Sequence, residues 1–324
     1  MNVYRSIENI PFDTNSVLTI GTFDGIHLGH QKILESVKKS AEERSARSIC
    51  VTFYPHPQKV VSGGRSSPAL LTPIEEKIEL IAAMGLDCLL VIPFTRQFSE
   101  MNPEEFIEDV LVKKIGATHF VIGYNHAFGR DRTGGGDLLK TMGLRFGFTV
   151  EVVDPVYIDD TKISSTGIRN ALIAGNVRLA NKMLGRNYSL SGVVGRGKNR
   201  GRVIGFPTAN IVVRGEGKLI PADGVYAVIV HLWNKIYTGM ANIGYRPTLD
   251  GREHEIEVNI HEFSADLYGE ILQIDFVDRI RDEKHFDSVD DLIVQIKKDR
   301  EKSKKLLSDK LLEDLNEFNE RGKG

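Results

Sequence analysis

The chain has 324 residues, 27% of them charged, and a formal net charge of only -2. That length suits two domains with separate cores, while near-neutrality excludes a global field for holding a nucleic acid or an anionic membrane. Two cysteines, Cys50 and Cys88, make neither a disulfide framework nor a CxxC pair, which suits a reducing compartment.

The N-terminal MNVYRSIENIPF lacks a basic start followed by an apolar run, and an apolar stretch such as CLLVIPF is too short to span a bilayer. The expectation is a cytoplasmic protein with no membrane or nucleic-acid partner, monomeric or weakly homo-oligomeric. From residue 17 to about 184, SVLTI, SICVTF, CLLVIPF, THFVIG and FTVEVVD read as short buried strands bounded by glycine or polar residues. Helices alternate with them. TPIEEKIELIAAMG offers Thr72 as N-cap, Pro73 at the first position and Glu75 completing a capping box. NPEEFIEDVLVKKIG repeats the device with Asn102, Pro103 and Glu105. Alternation of this kind predicts an α/β doubly wound parallel sheet, with ligands beyond the carboxyl ends of its strands.

After about residue 186 the texture changes. YSLSGVVGRG, VYAVIVHLWNKIY, HEIEVNIHEF and GEILQIDFVDRI alternate apolar and polar residues between glycine-bearing turns, which predicts a small antiparallel β-barrel. A C-terminal helix follows, capped by Ser288 and Asp291, with Leu292 and Ile296 at helical spacing. Lysines within 297–310 are interleaved with acids and read as a solvated helix face. The expected domains are 1–185 and 186–324.

The first strand runs into GTFDGIHLGH, which holds His27 and His30. An isolated HxxH is commonly one exposed and one carbonyl-satisfied histidine, and apart from Asp24 no third His, Cys or acidic ligand stands at a recognisable spacing for a metal. The position decides otherwise. A glycine-bearing turn lets backbone approach an anion, a helix N-terminus offers unpaired N–H groups, and imidazoles add donors to a phosphate in its transition state. KISSTGIRNALIAG adds Ser164, Ser165 and Thr166 at a helix start and Arg169 in its first turn, where a bound anion offsets the unfavourable placement of a cation. HxGH and this segment together point to nucleotidyl transfer.

GxFDGxHxGH followed by ISSTxIR resembles the adenylyltransferase module of the bacterial bifunctional riboflavin kinase/FMN adenylyltransferase (FAD synthetase) family. GRVIGFPTANI, ANIGYRPTL and EVNIHEF are similar to that family's riboflavin kinase signature, in the family's order. The resemblance implies that riboflavin is phosphorylated by ATP with Mg²⁺ to FMN, and that FMN is adenylylated by a second ATP to FAD. It implies a nucleotide site at Gly21, Phe23, Asp24, Gly29, Ser165 and Thr166, with His27, His30 and Arg169 catalytic. It implies a second nucleotide site at Gly195, Lys198, Gly201 and Arg202.

The second half has no GxxxxGK[ST], so phosphates must be held without a P-loop. GVVGRGKNRGR offers flexible backbone and cations, either as a phosphate cover or as a hairpin tip in solvent. Thr208 and Asn210 offer neutral oxygens for a magnesium shell, or serve as turn residues after Pro207. In IEVNI the alternation turns Glu257 and Asn259 away from Ile256, Val258 and Ile260, so Glu257 faces solvent or a cavity. The resemblance makes Glu257 the catalytic base, places Asn125 at the flavin, and places Arg281 near the flavin or the nucleotide, the flavin being the expectation. His126 and Ala127 depart from the aromatic and basic residues usual in the family, and Asn259 stands where histidine is common.

Overall fold

The structure is a computed structural model. It describes the chain apart from residues 66, 130–133, 197–200, 202–203, 249–250 and 322–324, and describes backbone alone at 246–248, 251–253 and 310–321. Two compact units divide it, Met1–Ser165 and Thr166–Gly324.

In the first unit six parallel strands stand in the order β1-β4-β3-β2-β5-β8. They are β1 (Asn2–Tyr4), β2 (Ser16–Ile20), β3 (Arg47–Tyr54), β4 (Cys88–Pro93), β5 (Ala117–Gly123) and β8 (Thr149–Val153). Five were expected; β1, with three residues, is too short to show a period. The small pairs β6 (Ala127–Phe128) with β7 (Gly134–Gly135), and β9 (Tyr157–Ile158) with β10 (Thr161–Lys162), stand apart. The helices are α1 (Leu28–Glu43), α2 (Pro57–Val61), α3 (Ile74–Ala83), α4 (Arg96–Ser99), α5 (Pro103–Glu105), a π-helix (Phe106–Ile115) and α6 (Gly136–Phe146).

Alternate strand residues feed two cores. Leu18, Ile20, Ile49 and Leu90 pack with Phe106, Leu111 and Leu139 on one face, while Val17, Cys50, Leu89 and Val121 pack with Leu34, Val37 and Ile81 on the other. Both faces are thus covered, as parallel sheets require. From β2 the chain steps outward through β3 and β4, then returns to β5 on the other side of β2. The crevice where strand order reverses therefore lies between β2 and β5, at their carboxyl ends.

Two helix starts differ from expectation. Asn102 does cap α5, accepting from Glu104 N–H at 2.8 Å, but the helix widens into π geometry at Phe106, whose turns suit the buried residues Phe106, Val110, Leu111 and Ile115. Pro73 is the N-cap of α3 and makes no side-chain cap. Thr72 is diverted elsewhere, as described below.

The second unit opens with α7 (Ser165–Ile173), whose first residue closes the first unit, and α8 (Val177–Leu184). The texture of the sequence groups these helices with the parallel sheet. Both also bond residues that follow: Ala222 N–H donates to Leu172 O at 3.0 Å, and Asn181 Nδ2 donates to Phe276 O at 2.7 Å. A closed barrel follows in the order β11-β12-β15-β14-β13-β16. Its strands are β11 (Tyr188–Gly195), β12 (Ala209–Val213), β13 (Gly224–Leu232), β14 (Lys235–Thr248), β15 (Gly251–Ile260) and β16 (Ile271–Arg281). Fully buried Leu190, Tyr226, Val228, Ile243 and Phe276 occupy the inward positions. The C-terminal helix, α9 (Val289–Arg321), lies on the outer wall, where Leu307 and Ile296 pack on Val225, Met240 and Ile280. Its cap forms as expected, with Asp291 N–H donating to Ser288 Oγ at 3.1 Å.

Gly116 ends the π-helix at φ +86°, and a Cβ there would overlap the Asp13 carbonyl oxygen. Gly116→Ala is expected to cost at least about 1–2 kcal/mol from left-handed backbone alone, read as a lower Tm of the first unit; an unchanged melt would contradict the packing at this turn.

Candidate active sites

Residues 21–27 carry the chain from the carboxyl end of β2 into α1. Phe23 and Ile26 stand there at φ +46° and +40°, in left-handed backbone that strains any non-glycine residue and a β-branched one most. Side chains from other segments hold the turn. The Asp24 carboxylate, 1% exposed, accepts from the backbone N–H groups of Leu71 at 3.1 Å and Thr72 at 3.0 Å. The Thr72 hydroxyl accepts from Gly25 N–H at 2.8 Å and donates to Asp24 Oδ1 at 3.3 Å. The buried Lys77 ammonium donates to Thr22 O at 2.6 Å. Gln31 Nε2 donates to Ile26 O at 2.8 Å, and Ser165 Oγ to Asp24 O at 2.7 Å.

Through its bonds to residues 71–72 the Asp24 carboxylate shapes the turn. From sequence Thr72 reads only as an N-cap and Lys77 as an ordinary helix residue, because each declares its work only through a contact distant in the chain. Burial pushes the Lys77 ammonium below its ordinary pKa, opposed by the Asp24 charge.

The turn delivers the two histidines to the head of α1. His27 is its N-cap, and its Nδ1 accepts from His30 N–H at 3.3 Å; a neutral imidazole accepting at Nδ1 carries its proton on Nε2. The two rings stack with centroids 3.6 Å apart, and the Phe23 ring stands edge-on to His30 at 5.2 Å. Gly29 makes room: a Cβ there would lie 3.2 Å from the His27 ring. Burial, reinforced by His27 and Lys77, holds the His30 imidazole well below the usual histidine range, so it is neutral at pH 7. His30 Nδ1 is buried without a hydrogen-bond partner, a polar atom that a phosphate group would satisfy. Gly21 starts the turn. Asn125 follows β5 across the crevice and is exposed, with half-buried His126 and Ala127 beyond it. In α7, Ser165 and Arg169 are half-buried and Thr166 is exposed.

In the second unit the barrel register places the other expected residues. Asn210 pairs with Glu257, Glu257 with Asn242, Asn242 with Val225, and Val225 with Arg281. Partners in an antiparallel ladder point to one face, so these residues form a row across five strands of the outer wall. Ile256, Val258 and Ile260 are buried on the opposite side. Between this wall and α9 lies a cavity of about 290 Å³, lined by Gly201, Thr208, Asn242, Glu257 and Arg281 and by Leu292, Ile296 and Asp299 of α9. Glu257 thus faces a cavity, the functional branch of the two open from its alternation.

Within it, Thr208 Oγ1 donates to Glu257 Oε1 at 3.4 Å. Asn259 Nδ2 donates to Pro207 O at 2.8 Å, tying the PTAN turn to β15. Arg281 Nε donates to the Asp299 carboxylate at 2.9 Å, and Asp299 is only 3% exposed, so the arginine forms a cavity wall already charge-paired with α9. Asp299 and Asn242 were not singled out from sequence; the first lies in a charged helical run and the second in a strand whose register is needed to see its neighbour. Gly195 pairs with Asn210 at the end of β11. Lys198 and Arg202 lie outside the described residues.

Two family models match the chain, FAD synthetase over residues 9–167 and riboflavin kinase over 184–307. Among curated relatives, the bifunctional riboflavin kinase/FMN adenylyltransferase of Listeria monocytogenes is 41% identical over 89% of this chain and 91% of its own. That of Bacillus subtilis is 38% identical over 89% and 91%, and that of Escherichia coli K12 36% over 92% and 96%. The crystal structure of a Streptococcus pneumoniae protein called a macrolide-efflux protein superimposes with a TM-score of 0.84 at 35% identity, covering 93% of this chain and 98% of that one. That name belongs to that protein; no helix among the described residues here is long and apolar enough to cross a membrane. With a histidine pair at the head of α1 and a glutamate in a barrel cavity, each within the stretch matched by its own model, the chain belongs to the bifunctional riboflavin kinase/FMN adenylyltransferase family.

Proposed function

We propose that the parallel-sheet part of the chain adenylylates FMN and the barrel part phosphorylates riboflavin, with the functional boundary at 185/186. The matched stretches, 9–167 and 184–307, support that division. The chemistry runs in sequence. The γ-phosphoryl group of ATP passes to the terminal ribityl hydroxyl of riboflavin, giving FMN and ADP. The FMN phosphate then attacks the α-phosphorus of a second ATP, and pyrophosphate leaves as FAD forms.

The observation that carries the kinase assignment is Glu257, held in the cavity beside Thr208 at 3.4 Å. A ribityl hydroxyl is a poor nucleophile until its proton is taken, and Glu257 accepts it. Among the described residues no cluster of three or more His, Cys, Asp or Glu can hold a metal. A hydroxyl, a carboxamide and one carboxylate fit a magnesium ion bound chiefly by nucleotide phosphates, with Thr208 and Asn210 as its protein ligands. Bound there, the ion would neutralise charge on the transferred group. Gly195 and Gly201, with Lys198 and Arg202 outside the described residues, are the candidates for contact with those phosphates, and Arg281 with Asp299 forms the flavin end of the cavity.

Adenylylation needs no base, because the FMN phosphate is already anionic. Its residues act by position and charge: His27 and His30 as donors to the triphosphate, Thr166 and Arg169 as phosphate partners, and Ser165 through its bond to the turn. Asn125, across the crevice, meets the flavin. Two unpaired, buried cysteines are in keeping with the cytoplasm, and a single copy supplies every residue named.

Two substitutions in the full chain separate the activities. Arg169→Ala is expected to slow FAD formation from supplied FMN by about tenfold or more, the loss of one charge-assisted phosphate contact, while riboflavin phosphorylation continues; unchanged FAD formation would return Arg169 to a surface role. Glu257→Gln keeps shape and hydrogen bonding but cannot take a proton. Initial FMN formation should fall about 10²- to 10⁴-fold, with FAD formation from FMN near wild type on the same preparation. A kinase rate within a few-fold of wild type would sink the base assignment.

A further inference from the structure

Beside Glu257 the barrel row carries another polar side chain. Asn242 stands directly opposite Glu257 in the β14–β15 ladder, and both line the cavity. Side chains so paired have Cβ atoms about 4.5–5.5 Å apart, close enough to reach neighbouring atoms of one ligand. Nearby polar groups are already engaged: Asn259 on Pro207 O at 2.8 Å, and Arg281 on Asp299 at 2.9 Å. The half-buried Asn242 side chain has no hydrogen-bond partner among the described residues.

Much of the surrounding wall is apolar, contributed by Phe206, Val225, Met240, Leu292 and Ile296. An unpaired carboxamide in such surroundings costs free energy unless a ligand or water bonds it. It offers donors and an acceptor together. A chain of vicinal hydroxyls offers both as well, whereas a flat aromatic face offers neither.

The geometry points to Asn242 as a specificity-determining residue of the kinase site: its carboxamide, set opposite Glu257 on the cavity wall, hydrogen-bonds the polyol chain of the flavin substrate next to the hydroxyl that Glu257 deprotonates. This rests on Glu257 as the base and adds what selects the substrate's chain. Riboflavin bears that polyol. Lumiflavin, the same ring system with a methyl group in its place, does not.

Initial rates of FMN formation by the full chain give KM and kcat for riboflavin and the competitive inhibition constant of lumiflavin. In N242A the riboflavin KM is expected to rise about tenfold, the loss of one ligand hydrogen bond, with the lumiflavin constant unchanged. N242S keeps a smaller polar group and should fall between N242A and wild type; it carries the comparison should N242A fail to fold. An unchanged riboflavin KM overturns the proposal. Equal weakening of both ligands overturns it too, being the signature of a deformed cavity. E257Q is run in parallel: a near-wild-type rate in that variant overturns the base itself, whereas loss of rate there with an unchanged KM in N242A overturns only the role of Asn242.

Discussion

Left-handed backbone at Phe23 and Ile26 is the constraint on which the first site depends. Each such residue costs on the order of 1–3 kcal/mol and persists only where its surroundings over-determine it. Here a buried carboxylate takes backbone N–H groups from residues 71–72, and a buried ammonium holds the Thr22 carbonyl. Hydrogen bonds to charged groups contribute about 1.5–3 kcal/mol each, enough to offset the strain. What the strain secures is placement. The turn stacks His27 on His30 and leaves His30 Nδ1 without a partner; under the proposed role, a site held in place this way needs little reorganisation when a phosphate binds.

The barrel meets a different constraint. Its interior is filled by side chains such as Tyr226 and Phe276, edge to face at 5.3 Å, and the polar row stands on the outer wall. A polar row on that wall would be solvated but for α9, which packs over Val225 and Met240 and turns an exposed strand face into a cavity. The Arg281–Asp299 pair joins wall to helix with both charges largely removed from water. Such a pair gives modest net stability, since desolvation opposes the attraction, yet breaking it leaves a costly lone charge. We regard it as fixing where α9 sits rather than how firmly.

Much of this was legible in the sequence, and the failures have physical reasons. Strand positions followed from apolar runs because parallel strands are buried on both faces. HxGH could be placed at the head of a helix because cap chemistry is local, with cap and capped N–H three residues apart. Alternation revealed that Glu257 turned away from the interior; it could not reveal that a helix beginning at Val289 would cover it. Thr72 looked like an N-cap because local capping rules are blind to Asp24, a partner 48 residues away. α7 and α8 look like a continuation of the first domain, since helical periodicity does not say which surface a helix will cover. Lys77 and Asn242 share that limit: both depend on long-range register.

At the centre of this account is a single chain performing two successive transfers, one at each site. The most direct measurement is a time course of flavin products from the purified chain with riboflavin, ATP and Mg²⁺, resolved by chromatography with pyrophosphate assayed alongside. FMN should appear first, and FAD should follow with one pyrophosphate released for each FAD formed. Riboflavin that is bound and quenched but recovered unchanged would contradict both transfers, and FMN accumulating without FAD or pyrophosphate would contradict the role given to the histidine turn.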